Sequence, residues 1–314
     1  MPINLSAKND FHGVWPDVLV PLHADLSIDE ARLSSHLRNL SAKGVEKFLL
    51  FGHAGEGASF SAEEKLSALA HVIASGIEAK DLLLGVYASS FSDAAHLIRK
   101  AYEQGVRRFL LSAPLFYPQT SHGALLDFYE QVIARVNLND WQLFVHQLGS
   151  TSHAGDLPEV TLTELRKSHP TIFVGIVDQD KHVNHTVDLI RSFGSEIPIA
   201  SCHEPNLSIL KPSVCISALA NVVPNILKHI IANDLPVNGS QMPGMKVVKP
   251  DDRVVELMNV IGEYPPIAAM KLMLAQHHRQ GDWEHVRPPQ AKLSKEGREA
   301  LMKAFNTFNL LANE

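Results

Sequence analysis

The sequence predicts an α/β protein built as a closed (β/α)8 barrel with a C-terminal three-helix extension, and three observations carry that expectation. Short apolar runs alternate with longer amphipathic stretches over most of the chain, the pattern of parallel strands joined by helices. Eight such runs occur, each with a helical stretch behind it, and eight parallel strands suffice to close a barrel. A doubly wound open sheet is the alternative, but no Gly-x-Gly-x-x-Gly follows the first run.

Residues 14–20 form the first expected strand. Ser27 is placed to cap a helix that runs to Lys43, and Gly44 ends it. Lys47-Phe48-Leu49-Leu50-Phe51 reads as a second, buried strand, and Ser61-Ala62-Glu63-Glu64 as a capping box opening the next helix. The cycle repeats with strands at 82–86, 108–111, 142–145, 172–177, 197–200 and 214–217. Helices fall near 91–104, 121–136, 161–168, 183–193 and 221–233. The seventh and eighth strands stand so close that the helix between them must be very short. Beyond residue 234 the pattern changes: 236–252 is a loop rich in Pro and Gly, and helical stretches follow at 253–261, 265–279 and 294–311. The expected division is a barrel over residues 1–234 with a helical extension over 235–314 packed on it.

Composition narrows the function classes. With 314 residues, 45% hydrophobic and 20% charged, the chain is of ordinary globular make-up. Net charge is -6, the pI is near 6.3, and like charges come only in pairs such as Glu63-Glu64, so no nucleic-acid partner is expected. Cys202 and Cys215 lie in separate apolar contexts without metal-type spacing, as in a reduced, cytoplasmic chain. The first ten residues lack a signal-peptide layout, and no stretch reaches 18 consecutive apolar residues, so no membrane partner is expected either. The unusual feature is histidine, of which there are 17.

Four segments resemble the dihydrodipicolinate synthase / N-acetylneuraminate lyase family, a group of aldolase-type TIM barrels. Gly52-His53-Ala54-Gly55-Glu56 with Phe60-Ser61-Ala62-Glu63-Glu64 resembles its Gly-Thr-Thr-Gly-Glu loop and the helix start behind it. Ser217-Ala218-Leu219-Ala220-Asn221-Val222-Val223-Pro224 resembles the segment after its eighth strand, and Tyr264-Pro265 and Val286-Arg287-Pro288-Pro289 its C-terminal helices. The resemblance runs from about residue 12 to the end. It implies a lyase or aldolase acting on a small 2-oxo acid or related carboxylated substrate. No cofactor is implied, and a homodimer or homotetramer is. In such enzymes a sixth-strand lysine forms a Schiff base, a fifth-strand tyrosine moves protons, and the second-strand loop holds the carboxylate. A buried amine loses its charge readily and becomes a nucleophile.

Here the resemblance places Val177 at the lysine position, within Gly175-Ile176-Val177-Asp178. His146 falls on the fifth-strand tyrosine, His53 and Ala54 on the threonine pair, and Phe116, or Tyr117 with a one-residue slip, on a fourth-strand tyrosine. Valine neither attacks a carbonyl nor carries a proton, so the inherited mechanism cannot run unchanged.

A barrel's chemistry lies at the C-terminal ends of its strands. That places Tyr87, His146, Asp178, His203 and Glu204 near the mouth, with His53 and Glu56 in the second-strand loop and His23, His153, His182 and His185 in loops nearby. One reading is a lysine-independent lyase: His146, Asp178, His203 and Tyr117 catalytic, and Gly52, His53, Ala54, Gly55 and Glu56 binding substrate. There His146 acts as general acid or base, oriented by Asp178 or Glu204. A sharper form adds a divalent metal on His53, His146, His203 and Glu204, although no local ligand motif points to one. A second reading moves the imine to Lys181, with Lys211 and Lys271 as further amines; as a solvated loop residue beside Asp180, Lys181 needs no such role. A third is a silent barrel that binds a 2-oxo or sugar acid without turnover.

Several residues have plainer readings. His71, His96, His229, His277 and His278 lie on expected helices and suit packing or surface roles. Glu56 serves equally well as a helix or loop anchor. Cys202 is a small residue at a strand end, and Phe116-Tyr117 suits a subunit contact.

Overall fold

The computed structural model describes residues 11–114, 116–117, 120–149, 156–232 and 250–308. His153, residues 236–249 of the Pro/Gly-rich stretch and the 309–311 end of the last expected helix lie outside them. Eight strands run in order: β1 (Gly13–Pro16), β2 (Phe48–Leu50), β3 (Leu82–Val86), β4 (Arg108–Ser112), β5 (Gln142–Gln147), β6 (Phe173–Asp178), β7 (Ile199–Ser201) and β8 (Val214–Ser217). They pair in parallel in the order β1-β8-β7-β6-β5-β4-β3-β2. The seam between β1 and β2 is closed by a parallel bridge from Asp17 to Leu49, with Val18 N–H donating to Leu49 O at 2.9 Å. The result is a (β/α)8 barrel.

Helices follow the strands: α1 (Glu30–Ala42), α2 (Ala62–Ala74), α3 (Phe91–Glu103), α4 (His122–Val136), α5 (Glu159–Ser168), α6 (Val183–Phe193), the single turn α7 (Leu207–Leu210) and α8 (Pro224–Ala232). Then come α9 (Pro250–Gly262), α10 (Pro266–His278) and α11 (Lys295–Phe308). The capping box before α2 is present, with Ser61 Oγ accepting from Glu64 N–H and Glu64 accepting from Ser61 N–H.

Three boundaries differ from expectation. The first strand stops at Pro16, because the chain then changes neighbours: Asp17 N–H donates to Ser217 O of β8 and Val18 N–H to Leu49 O of β2. The first helix begins at Glu30, not after Ser27. Asp29 accepts from Arg32 N–H at 2.9 Å, whereas Ser27 Oγ donates to Asp25 at 2.6 Å. In the extension, α9 starts at Pro250, inside the stretch expected to be loop.

Three apolar clusters hold this together. One lies between the strands and α1–α6. A second fills the barrel with Trp15, Leu49, Leu83, Leu110, Phe144, Val177, Ala200, Val214 and Ile216, and Phe11 stacks on Phe144 with ring centres 4.7 Å apart. The third joins Val14, Leu19 and Cys215 to α8–α11, so the extension packs against the β8–β1 side. Among the described residues no helix is long and apolar enough to cross a membrane.

Candidate active site

Ladder pairing sets four residues at one level near the strands' C-terminal ends: Ser112 beside His146, His146 beside Val177, and Val177 beside Ala200. Alternation along each strand turns all four inward, since Leu110, Phe144, Val177 and Ala200 belong to the barrel interior. Val177 is fully buried there. Ser112 is also fully buried, and its hydroxyl has no hydrogen-bond partner among the described residues. An orphaned buried hydroxyl is uncommon enough to mark a place where something else binds.

Above this level a hydrogen-bonded chain crosses the mouth. Tyr87 Oη is 3.0 Å from His146 Nδ1, His146 Nε2 is 3.0 Å from Gln179 Oε1, and Gln179 Nε2 is 2.8 Å from His53 Nδ1. The amide fixes the direction. Its oxygen accepts from His146 Nε2–H, so Nδ1 accepts the Tyr87 hydroxyl, and its N–H donates to His53. Burial, with the neighbouring His53 charge, pulls His146 down to about 3, against which the Gln179 bond acts weakly, so the ring is neutral at physiological pH. Burial lowers His53 too and pushes the Tyr87 phenol well up.

Asp17, which follows β1, lies close enough to Tyr87 for its charge to act on the phenol. Its carboxyl accepts from Ala54 N–H at 2.8 Å and Gly55 N–H at 3.3 Å. Gly52 is required by that approach, because a Cβ there would stand 2.2 Å from Asp17 Oδ1. Burial raises Asp17 to about 7 despite the loop N–H groups, and the nearby Glu204 charge raises it further. Glu204 is buried and raised in turn, and Ser217 Oγ donates to it at 2.7 Å. Asn221 fixes the Asp17 backbone by donating to its carbonyl at 2.7 Å.

The expected site residues separate into two groups. His146, His53 and Glu204 are at the mouth. Asp178 is not: it is the outward neighbour of Val177 and accepts from His185 Nδ1 at 2.9 Å and Thr186 Oγ1 at 2.5 Å, anchoring α6. That bond raises His185 to about 9. Glu56 forms a buried ion pair with Lys271 and accepts from Arg287 N–H at 2.6 Å, so its carboxylate serves the extension instead of a ligand. The loop does not offer Ala54 and Gly55 to a substrate carboxylate, since Asp17 already holds them. His203 sits at the rim with Nε2 2.8 Å from Lys181 O, and Lys181 itself is exposed. Phe116 and Tyr117 are 76% and 56% exposed on the loop after β4. His23 and His182 are likewise exposed.

The expected metal set is also corrected. The Gln179 amide lies between His146 and His53, and His203 is turned to a backbone carbonyl, so these rings do not converge on one point. Among the described residues the one set with metal-ligand spacing is Asp156, Asp180 and His185, beside Asp178 on the outer side.

Asp17, Gln179 and Ser112 were not singled out by sequence reasoning. Asp17 had a signal: it is the lone charge inside the apolar run 14–20. Gln179 stands two residues after Val177, on the same face. A further unforeseen group is Lys65 on α2. Its buried amine lies 5.8 Å from the Tyr87 ring centre and 3.4 Å from Gly85 O, and burial lowers it to about 8.

The sequence and the fold are shared with known proteins. The model of the dihydrodipicolinate synthetase family matches residues 10–307. A 4-hydroxy-tetrahydrodipicolinate synthase of Haloarcula marismortui is 29% identical over 52% of this chain and 51% of its own, so that match spans about half of each. The 2-dehydro-3-deoxy-phosphogluconate/2-dehydro-3-deoxy-6-phosphogalactonate aldolase of Saccharolobus solfataricus is 23% identical over 91% of this chain and 92% of its own. The crystal structure of dihydrodipicolinate synthase from Agrobacterium tumefaciens superposes with a TM-score of 0.83 at 24% identity, covering 95% of this chain and 99% of that one.

Proposed function

The chain belongs to the dihydrodipicolinate synthetase family, and on that premise we propose that it is a lyase or aldolase acting on a small carbonyl compound without a Schiff-base lysine. The observation that carries the reading is the hydrogen-bonded chain Tyr87–His146–Gln179–His53, with the Asp17 carboxyl near Tyr87 and Val177 facing inward beside His146. A synthase and an aldolase among the relatives favour carbon–carbon bond chemistry.

Without an iminium, the electron sink is the substrate's own carbonyl. Asp17 takes the proton from a hydroxyl β to that carbonyl, the intervening carbon–carbon bond breaks, and its electron pair becomes the enolate of the departing fragment. The same carboxyl then returns the proton to the enolate carbon. A carboxylate offers about four acceptor sites and the loop uses two, so Asp17 keeps lone pairs for this work. The Ser112 hydroxyl, which has no partner among the described residues, is the donor for the carbonyl oxygen. Neutral His146 is a positioning residue: by accepting the Tyr87 hydrogen it turns the phenolic oxygen towards the substrate as an acceptor. Asp17, titrating near about 7, is the group matched to proton transfer at neutral pH.

A pH–rate profile tests this. Burial raises Asp17 to about 7, so the base form predominates above that point and the protonated form below it. On a β-hydroxycarbonyl substrate, kcat/KM is therefore expected to fall about tenfold for each pH unit below that point. Asp17→Asn should lose the limb. A limb that persists in Asp17→Asn removes Asp17 as the base.

A further inference from the structure

Resting on that reading of the site, we infer that its ligand is a small neutral compound bearing carbonyl and hydroxyl oxygens, not a 2-oxo acid, because the Asp17 carboxyl already occupies the backbone donors of the 52–57 loop. The fit is close. Both oxygens are engaged, Oδ2 by Ala54 N–H at 2.8 Å and Oδ1 by Gly55 N–H at 3.3 Å. Gly52 leaves room for nothing but hydrogen beneath it, since a Cβ would approach Oδ1 to 2.2 Å. The backbone that carries Asp17 is pinned from three sides, by Asn221 Nδ2–H to its carbonyl at 2.7 Å, by its own N–H to Ser217 O at 3.0 Å and by Val18 N–H to Leu49 O. The chain thus carries its own carboxylate where a 2-oxo acid would place one.

The rest of the lining agrees in charge. A second buried carboxyl, Glu204, lies near enough to Asp17 to act on its ionisation. An anionic ligand would meet both. Two basic groups of the neighbouring loop and extension are held in ion pairs: Lys271 with Glu56, donating also to His285 O at 2.7 Å, and Arg287 through Nη2 with Glu64 at 2.6 Å, while Arg287 Nη1 has no partner among the described residues. Among the groups left to recognise a ligand are two hydroxyls, Tyr87, which keeps acceptor capacity, and Ser112, which has no partner among the described residues, beside the neutral ring of His53; the buried Lys65 amine is turned to Gly85 O at 3.4 Å. Hydroxyls both donate and accept, which suits neutral carbonyl and alcohol oxygens.

The test is binding, read by calorimetry on the full chain, with hydroxyacetone and dihydroxyacetone as neutral probes and pyruvate and acetate as carboxylate probes. The wild-type protein is expected to bind the neutral probes and to bind pyruvate at least about tenfold more weakly. Asp17→Ala opens the two N–H donors, and two charge-assisted hydrogen bonds should then improve pyruvate binding about 10- to 100-fold. Asp17→Asn, whose amide oxygen still accepts from the loop, should keep the neutral preference, so the comparison survives if the alanine variant fails to fold. Pyruvate bound by the wild type as tightly as the neutral probes overturns the inference, as does binding of neither class, or no gain of carboxylate affinity in a folded Asp17→Ala. Because binding is read without turnover, neutral probes that bind while no substrate is cleaved would count against the catalytic reading alone. Turnover of a 2-oxo acid would count against this inference alone.

Discussion

His146→Ala is expected to lower kcat by at least about 10²-fold, the usual cost of displacing a reacting contact by roughly an ångström. The ring joins two halves of the mouth, Tyr87 through Nδ1 and Gln179 through Nε2. Its loss leaves the Tyr87 hydroxyl free to turn and Gln179 Oε1 without its donor. The fold should survive, because the interior packing beside His146 comes from Val177 and Ala200, with Phe144 one layer below. Alanine also leaves a cavity of imidazole size, so added imidazole is expected to restore part of the rate, an effect a purely structural role for His146 would not show. Unchanged kcat in a folded His146→Ala protein would remove the hydrogen-bonded chain from the account.

The second large effect concerns stability. Glu56 and Lys271 have side chains with no exposed surface, and they join the loop after β2 to α10. Glu56 also accepts from Arg287 N–H, and Lys271 also donates to His285 O. Removing one member leaves the other buried and uncompensated, which costs about 3–5 kcal/mol. Lys271→Met or Glu56→Met should therefore lower Tm by on the order of 10 °C. The double substitution should recover much of that loss, since two apolar side chains leave no buried charge. A role for Glu56 in substrate binding predicts the reverse pattern, with raised KM and unchanged Tm in Glu56→Met.

The architecture was legible because apolar runs and caps are local signals. Leu82–Val86 and Val214–Ser217 fall on the expected strand limits, and the Ser61–Glu64 box caps α2 as its sequence implies. What failed were choices between neighbouring candidates. Ser27 and Asp29 can both cap a helix, and only the course of the chain after Pro21 decides for Asp29. At the site, His146 and His53 were legible through the resemblance, which sets them on a fifth-strand tyrosine and on the threonine pair of the second-strand loop. Asp178 was misjudged because adjacent strand residues face opposite ways, and Val177 takes the inward face. Glu56 was ambiguous for a different reason. Its partner Lys271 lies 215 residues away, a distance over which sequence spacing carries no information. The same holds for Asp17, whose contacts with Ala54 and Gly55 exist only once β1 and β2 close the barrel.

The central claim is that this site works without an imine. Borohydride trapping with pyruvate, hydroxyacetone and dihydroxyacetone, read by intact mass and peptide mapping, tests it most directly. The account predicts no reduced adduct on any lysine under conditions in which ligand is bound. A stoichiometric adduct would contradict it. If mapped to Lys65, whose buried amine lies behind Tyr87, it would place the amine on α2; if mapped to Lys181, it would place it beyond β6.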